Sequence, residues 1–156
     1  MKTKLLLLAA LAALGLGLSG DSLFGHCEIP CGIYTDPMRV QMIEEHCKTI
    51  EKAMAQIAAL SKEHSPTASN QIARWVANKE KHAGDIQQIV TQYFMTQRVK
   101  PADPSNKKAY AAYVKKLTTL HGILVSAMKC KQTTDATHVE KLRAGLKEFS
   151  ALYFVK

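Results

Sequence analysis

Apolar residues recur every three or four positions in four long segments of the chain, with polar residues between them. This spacing places the apolar side chains on one face of an α-helix. The stripe is unbroken in the first segment (Val40, Ile43, Cys47, Ile50, Met54, Ile57), the third (Tyr110, Tyr113, Leu117, Leu120, Leu124, Ala127) and the fourth (Val139, Leu142, Leu146, Phe149, Tyr153). These stripes are narrow, as in helices that pack against each other at a shallow angle.

The second segment has a less regular stripe, which consists of Ile72, Val76, Ile86, Ile89 and Tyr93. It is interrupted at Lys79 and at either His82 or Ala83, where apolar residues are expected. A polar side chain on a buried face needs a hydrogen-bond partner. The interruption therefore indicates either a functional contact or a helix that leans outward at this point.

Short turn-forming stretches separate the four segments, at residues 30–32, 64–67, 100–105 and 131–135. Strand signals are nearly absent, since the chain has no alternating run of β-branched residues and no Asn-Gly or Asp-Gly hairpin turn. Four long helices with short connections predict an all-α fold, an up-down-up-down four-helix bundle.

The amino-terminal segment differs from the rest of the chain. Residues 5–18 are mostly apolar and follow Lys2 and Lys4, an arrangement typical of a secretory signal peptide and too short to span a bilayer. We therefore expect residues 1–25 to be removed as a signal peptide or propeptide. Residues 26–156 would form the mature domain, with an irregular segment at 26–34 and the helical bundle at 38–156.

The net charge narrows the choice of partners. The chain carries +8, and the loss of residues 1–25 with their two lysines and one aspartate leaves +7. Tyr and Phe do not interleave with Lys or Arg in a base-stacking pattern, so we expect no nucleic-acid partner. No segment predicts stable membrane insertion. A positive field does attract small anions.

Candidate chemistry is concentrated in residues 26–34. Cys27 and Cys31 can direct both sulfurs at one centre because Pro30 and Gly32 turn the backbone between and after them. One interpretation is a disulfide, which would close a very small ring with little entropic gain. A second is a zinc site, which requires two further Cys or His ligands.

A third interpretation depends on processing. Cleavage after Gly25 makes His26 the amino terminus, which then offers its α-amine and its imidazole. The backbone amide of Cys27 and the thiolates of Cys27 and Cys31 complete a planar set of two nitrogens and two sulfurs. Square-planar geometry favours Ni(II) or Cu(II) over zinc.

These residues form a motif that resembles the nickel hook of nickel-containing superoxide dismutases: His26-Cys27-x-x-Pro30-Cys31-Gly32-x-Tyr34. The resemblance implies an oxidoreductase that converts superoxide and protons to dioxygen and hydrogen peroxide by Ni(II)/Ni(III) cycling. It further implies one nickel ion per subunit and a homohexamer of four-helix bundles. A processing protease and a nickel chaperone are the partners that such a site requires.

The resemblance also assigns roles to the hook residues. His26 would provide the α-amine and an axial imidazole, Cys27 its amide nitrogen and thiolate, and Cys31 the second thiolate. Electron-rich thiolates and an anionic amide nitrogen stabilise Ni(III), because ligand identity sets the redox potential. Tyr34, together with His26, would be catalytic, since the matching tyrosine restricts entry to the substrate pocket.

Other positions receive supporting roles from the resemblance. Pro30 and Gly32 match the residues that shape the hook, and Glu28 stands where the family often has aspartate. In the second helix, Lys79 is the candidate to orient the axial histidine, and Tyr93 matches an aromatic residue near the active site. The alternatives without a role at the site are that Lys79 is a solvated lysine and that Tyr93 is a core residue.

Other features leave alternatives open. A glutamate of the first helix also orients the axial histidine in the family, and Glu44 or Glu45 stands nearest that position. Cys47 and Cys130 are expected to be buried free thiols, with a disulfide between them as an alternative hypothesis. The competing function is an exported, non-enzymatic helical bundle that binds nickel or copper. Export predicts a periplasmic or extracellular location, and a cytoplasmic protein that loses a propeptide is the alternative.

Overall fold

The structure of the protein is a computed structural model that describes residues 33–154. It contains four α-helices, which are α1 (Asp36–Leu60), α2 (Pro66–Gln88), α3 (Lys107–Gln132) and α4 (Thr137–Tyr153). The main contacts join α1 to α2 and α4, and α3 to the same two helices. Consecutive helices run in opposite directions, and the predicted up-down-up-down four-helix bundle is confirmed.

Capping side chains mark the starts of two of these helices. The Ser65 side chain accepts a hydrogen bond from the amide of Ala68 at 3.0 Å, and Pro66 occupies the start of α2. The Asn106 side chain accepts the amide of Ala109 at 3.1 Å and caps α3 in the same way. Such caps satisfy amides that have no partner in the first turn.

The core consists mainly of the predicted stripes. Its largest fully buried side chains include Ile43, Ile50, Met54, Ile86, Phe94, Leu120, Ile123, Leu142 and Phe149. One predicted stripe member of α2 is wrong, since Val76 is 39% exposed. Ala83 takes the buried position in the interrupted stretch, and Lys79 is buried with it at 3% exposure. The helix therefore turns these two positions, and not Val76, toward its neighbours.

The helix that begins at Pro66 changes its hydrogen-bonding pattern near its end, where Ile89–Arg98 is a π-helix. The amide of Val99 donates to the carbonyl of Phe94, five residues earlier, at 2.8 Å. This wider turn buries Val90, Tyr93, Phe94 and Gln97. Such segments are rare and often lie at functional sites. The apolar spacing did not predict this segment.

The expected processing of residues 1–25 concerns a part of the chain outside the described residues. Within residues 33–154, no helix has the length and apolar character needed to cross a membrane. The described chain begins only a few residues before α1.

Candidate metal centre and its anchor

The predicted nickel ligands and the residues that shape the hook lie outside the described residues; they are His26, Cys27, Glu28, Pro30, Cys31 and Gly32. Tyr34 is described, and it stands three positions after Cys31 and just before the start of α1. Its surroundings show how the protein holds the chain where it leaves the hook.

The Tyr93 hydroxyl joins the π-helical segment to the chain around Tyr34. The hydroxyl oxygen lies 3.1 Å from the Tyr34 carbonyl oxygen and 2.5 Å from Oδ1 of Asp36. Its single proton is shared between these two acceptors, and the carboxylate is the nearer. The hydroxyl therefore fixes the backbone at Tyr34 to the first residue of α1.

Asp36 accepts hydrogen bonds from three side chains, two in the π-helical segment and one in α4. Its Oδ2 accepts from Nη2 of Arg98 at 2.8 Å and from the Tyr153 hydroxyl at 2.9 Å, in addition to the contact of Tyr93 with Oδ1. The side chain is 16% exposed. Hydrogen bonds to a charged group are stronger than neutral ones, and a carboxylate is favourable in the first turn of a helix. We call Tyr34, Asp36, Tyr93, Arg98 and Tyr153 the Asp36 network.

The protonation states of the Asp36 network follow from its geometry. Burial alone would raise the pKa of Asp36, but hydrogen bonds from Arg98, Tyr93 and Tyr153 lower it overall. Burial and the hydrogen bond to Asp36 raise the pKa of Tyr93 to about 12. At neutral pH the carboxylate is therefore charged and the Tyr93 phenol keeps its proton, so Tyr93 acts as a fixed donor.

Tyr34 is also held through its ring. The guanidinium carbon of Arg39 lies 3.9 Å from the centre of the Tyr34 ring, within the range of a cation–π contact. The Tyr34 ring is 44% exposed. Among the residues that the structure describes, the buried Nε of Arg39 has no hydrogen-bond acceptor. An aromatic ring and an unused donor therefore lie together at the base of the hook.

A pocket of about 380 Å³ adjoins the Asp36 network. It shares Arg98 and Tyr153 with the network, and Lys100 and Lys116 contribute the other charged side chains that line it. In the described part of the chain, all charges lining this pocket are therefore positive. Such a surface raises the local concentration of small anions.

The structure places the two predicted second-helix residues in different surroundings. Tyr93 belongs to the Asp36 network, whereas Nζ of Lys79 donates to the backbone carbonyl oxygens of Cys130, at 2.6 Å, and Lys131. Fourteen residues, roughly 20 Å of helix, separate Lys79 from Tyr93. The solvated-lysine interpretation of Lys79 is wrong, and its ammonium serves the last turn of α3. Its role in orienting the axial histidine stays a prediction, because His26 lies outside the described residues.

The glutamate candidates of the first helix also have other surroundings. Glu44 Oε1 pairs with Nε of Arg143 at 3.2 Å, and Glu45 is exposed. Arg143 reaches Glu51 as well, at 2.9 Å. Ile43 is fully buried, as its apolar spacing predicted. The carboxylate of Glu44 is therefore already paired with Arg143 of α4.

The remaining cysteines are buried free thiols, as expected, and the alternative disulfide between Cys47 and Cys130 is not formed. Burial raises the pKa of Cys47 to about 12 and that of Cys130 to about 11. Metal ligation and nucleophilic attack both require the thiolate. These two thiols are therefore protonated at neutral pH, and Cys27 and Cys31 stay the predicted sulfur donors.

Comparison with known proteins decides the family. The family model described as nickel-containing superoxide dismutase matches residues 21–156, which include the hook motif and all four helices. The chain belongs to this family. It is an oxidoreductase that uses nickel to convert superoxide and protons to dioxygen and hydrogen peroxide. Membership excludes the competing interpretation of a non-enzymatic nickel or copper binder. No curated protein and no solved structure gave a significant match.

The donor set predicted for His26, Cys27 and Cys31 fits the nickel that the family requires. An α-amine, an amide nitrogen and two thiolates suit a square-planar ion, and the other two cysteines are protonated and buried. When bound, nickel supplies one-electron redox chemistry between Ni(II) and Ni(III). The described residues contribute the hydrogen bond that holds Tyr34 and the positive side chains that line the adjoining pocket.

Sequence reasoning missed three members of the Asp36 network. Asp36 and Arg98 received no role, and Tyr153 was interpreted as a core residue only. One signal was available, since an acidic residue before Pro37 is typical of a helix start. In an up-down-up-down bundle, the ends of α2 and α4 lie beside the start of α1. Polar residues at those three ends were therefore candidates for mutual contact.

Proposed function

We propose that this superoxide dismutase matures by removal of residues 1–25, which makes His26 the amino terminus. His26, Cys27 and Cys31 then hold one nickel ion per subunit, and Pro30 and Gly32 shape the turn between them and α1. The observation that carries this proposal is the anchoring of Tyr34. The Tyr93 hydroxyl, 3.1 Å from the Tyr34 carbonyl oxygen, holds the chain three residues after the second sulfur ligand.

The Asp36 network supports a fixed position for the base of the hook. The ligands of a metal ion must be held in position within a fraction of an ångström, and rigid supporting residues provide that precision. Asp36 ties the chain to the π-helical segment and to α4 through charge-assisted hydrogen bonds. The Asp36 network thus positions the metal-binding segment without contributing a ligand.

Tyr34 is proposed to border the route by which superoxide enters. Its exposed ring lies beside the guanidinium of Arg39, and the pocket lined by Arg98, Lys100 and Lys116 adjoins the same end of the bundle. Positive charge here attracts the superoxide anion, while the bulk of the tyrosine ring limits what else approaches. The pKa of Tyr93, raised to about 12 by burial and by its hydrogen bond to Asp36, keeps this phenol protonated at neutral pH.

We further propose export to the periplasm or the extracellular space and assembly as a homohexamer. The signal-like segment at residues 5–18 supports export. Exposed apolar side chains at Ile33 and Met38, 74% and 49% exposed, flank Tyr34 and support a subunit contact at this end. A processing protease and a nickel chaperone complete the maturation. Light scattering of the mature protein measures the number of subunits.

One experiment tests the ligand assignment. Mature protein is loaded with nickel, and its amino terminus, intact mass, nickel content and superoxide turnover are measured. We expect an amino-terminal His26, one nickel per chain, and loss of nickel and of at least 99% of turnover in Cys31→Ser. Cys130→Ala, which removes a buried protonated thiol, should keep both. Active, loaded protein that retains residues ahead of His26 would contradict the proposal.

A further inference from the structure

Two histidines face each other across the interface between α1 and α2. The Nδ1 atoms of His46 and His82 are 2.7 Å apart, and their ring centres are 4.9 Å apart. Both side chains are half-buried. Neither residue takes part in the Asp36 network, and His46 lies about 15 Å along α1 from Asp36. The chain thus brings two imidazoles together at a place where the dismutase chemistry does not use them.

A carboxylate completes this cluster. Asp85 stands three residues after His82 and therefore lies on the same face of α2. One potential ligand atom from each of His46, His82 and Asp85 lies within 4.8 Å of the others. The present partner of Asp85 is Nζ of Lys81 at 2.6 Å, whose side chain is 69% exposed. An exposed ion pair of this kind is weak, and a bound cation can replace it.

The donor types select the class of ion. Two imidazoles and one carboxylate suit Zn²⁺, Ni²⁺, Cu²⁺ or Fe²⁺, whereas Ca²⁺ and Mg²⁺ prefer oxygen ligands alone. Burial and the neighbouring His82 lower the pKa of His46, which keeps its imidazole neutral and able to donate a lone pair. Metal–nitrogen bonds of about 2.1 Å place two tetrahedral nitrogens about 3.4 Å apart. The two Nδ1 atoms, now 2.7 Å apart, need to separate by only about 0.7 Å.

We propose that His46, His82 and Asp85 form a second metal site for a divalent transition ion such as Zn²⁺, with the remaining coordination positions open to water. The site shares no residue with the nickel hook. Since its ligands come from both α1 and α2, a bound ion joins these two helices. In the metal-free chain the same two imidazoles form a hydrogen bond, in which one Nδ1 donates and the other accepts.

The test adds Zn²⁺ to mature protein whose hook is already loaded with nickel. We expect calorimetry and elemental analysis to find one Zn²⁺ per chain in addition to nickel, with a rise in melting temperature because the ion binds only the folded state. His82→Gln and His46→Gln should each weaken this binding at least tenfold, and Asp85→Asn by a smaller factor. His121→Gln, a change at an exposed histidine of α3, should leave it unchanged.

Two further results separate this site from the hook. Cys31→Ser, which removes a hook sulfur, should still bind one Zn²⁺ at the unchanged second site. The melting temperatures of the zinc-free variants show that each is folded before its affinity is compared. Absence of a second bound ion in the nickel-loaded protein overturns the proposal. Undiminished Zn²⁺ binding by the folded variant with both His46→Gln and His82→Gln overturns it as well.

Discussion

Each end of the bundle encloses most of a charged side chain, Asp36 at 16% and Lys79 at 3% exposure, but the two charges have different partners. Near the base of the hook, Asp36 accepts hydrogen bonds from the side chains of Tyr93, Arg98 and Tyr153. Toward the opposite end, Lys79 donates to backbone carbonyl oxygens in the last turn of α3. Each charge meets the requirement that a buried ionic group be paired or hydrogen-bonded.

Because their partners differ, Lys79 stabilises the fold alone, whereas Asp36 also supports the proposed metal site. Lys79 satisfies carbonyls that have no partner within α3, and a cation is favourable at a helix carboxyl terminus. Its partners are these carbonyls and the Glu80 carboxylate, at 3.3 Å, and none of them belongs to the Asp36 network. Asp36 instead joins three elements and, through Tyr93, reaches the residue that follows the hook. We therefore expect changes at Lys79 to affect stability alone and changes at Asp36 to affect stability and nickel chemistry together.

The largest combined effect is expected for Asp36→Ala. Loss of three hydrogen bonds to a carboxylate should lower the free energy of unfolding by about 3 kcal/mol. Displacement of the base of the hook should lower turnover per bound nickel at least tenfold, because catalysis is sensitive to small misplacements. Denaturant unfolding and superoxide turnover measure the two effects. Asp135→Ala, an exposed carboxylate near the start of α4, should leave turnover unchanged.

Lys79→Met should lower the free energy of unfolding by about 2 kcal/mol, because the carbonyls of Cys130 and Lys131 lose their donor while the apolar stem is retained. Turnover per bound nickel should stay at the wild-type value. Lys52→Met, a change at an exposed lysine of α1, is the matched control and should alter stability by less than about 0.5 kcal/mol. A tenfold loss of turnover in Lys79→Met would contradict this expectation and support a role of Lys79 in orienting the axial histidine.

Acid should remove the contribution of Asp36 to stability. The folded-state pKa of Asp36 is below its ordinary value of 3.8, so the stabilisation is present above that value and is lost as the pH falls through the folded-state pKa. The difference in unfolding free energy between wild type and Asp36→Asn should be constant from about pH 7 to pH 5 and shrink below about pH 4. Urea unfolding over this range measures it. A difference that stays constant down to about pH 2 would contradict this assignment.

The smallest effect is expected for Tyr153→Phe. This change removes one hydrogen bond to Asp36, of 2.9 Å, and leaves the ring packing in place. We expect a loss of about 1 kcal/mol in the free energy of unfolding and a loss of turnover no larger than about threefold. Tyr110→Phe, at a ring that is 38% exposed, should change neither quantity measurably. Equal effects of the two substitutions would show that the Asp36 network does not depend on Tyr153.

Most of the fold was predictable because helical periodicity is a local property. Most members of the stripes that contain Ile43, Leu120 and Leu142 are buried or half-buried as their spacing indicated, and the exception is Tyr110, which is 38% exposed. The predicted nickel-binding motif is local as well, because it consists of particular residue types at a fixed spacing within one short stretch of the chain. Val76 and the π-helical segment were not predicted, because both depend on how α2 is rotated against its neighbours and not on its own pattern.

The amino-acid sequence by itself determined the four amphipathic helices and the nickel-binding motif. Burial of apolar side chains drives the helices together, and the predicted nickel ligands lie close together because they are near neighbours in the sequence. Only the tertiary structure decided which distant polar groups meet, such as Asp36 with Tyr153, His46 with His82, and Lys79 with the carbonyl of Cys130. These contacts depend on how the packed helices are rotated and how their ends align. All the buried contacts together determine that arrangement, and no short stretch of sequence encodes it.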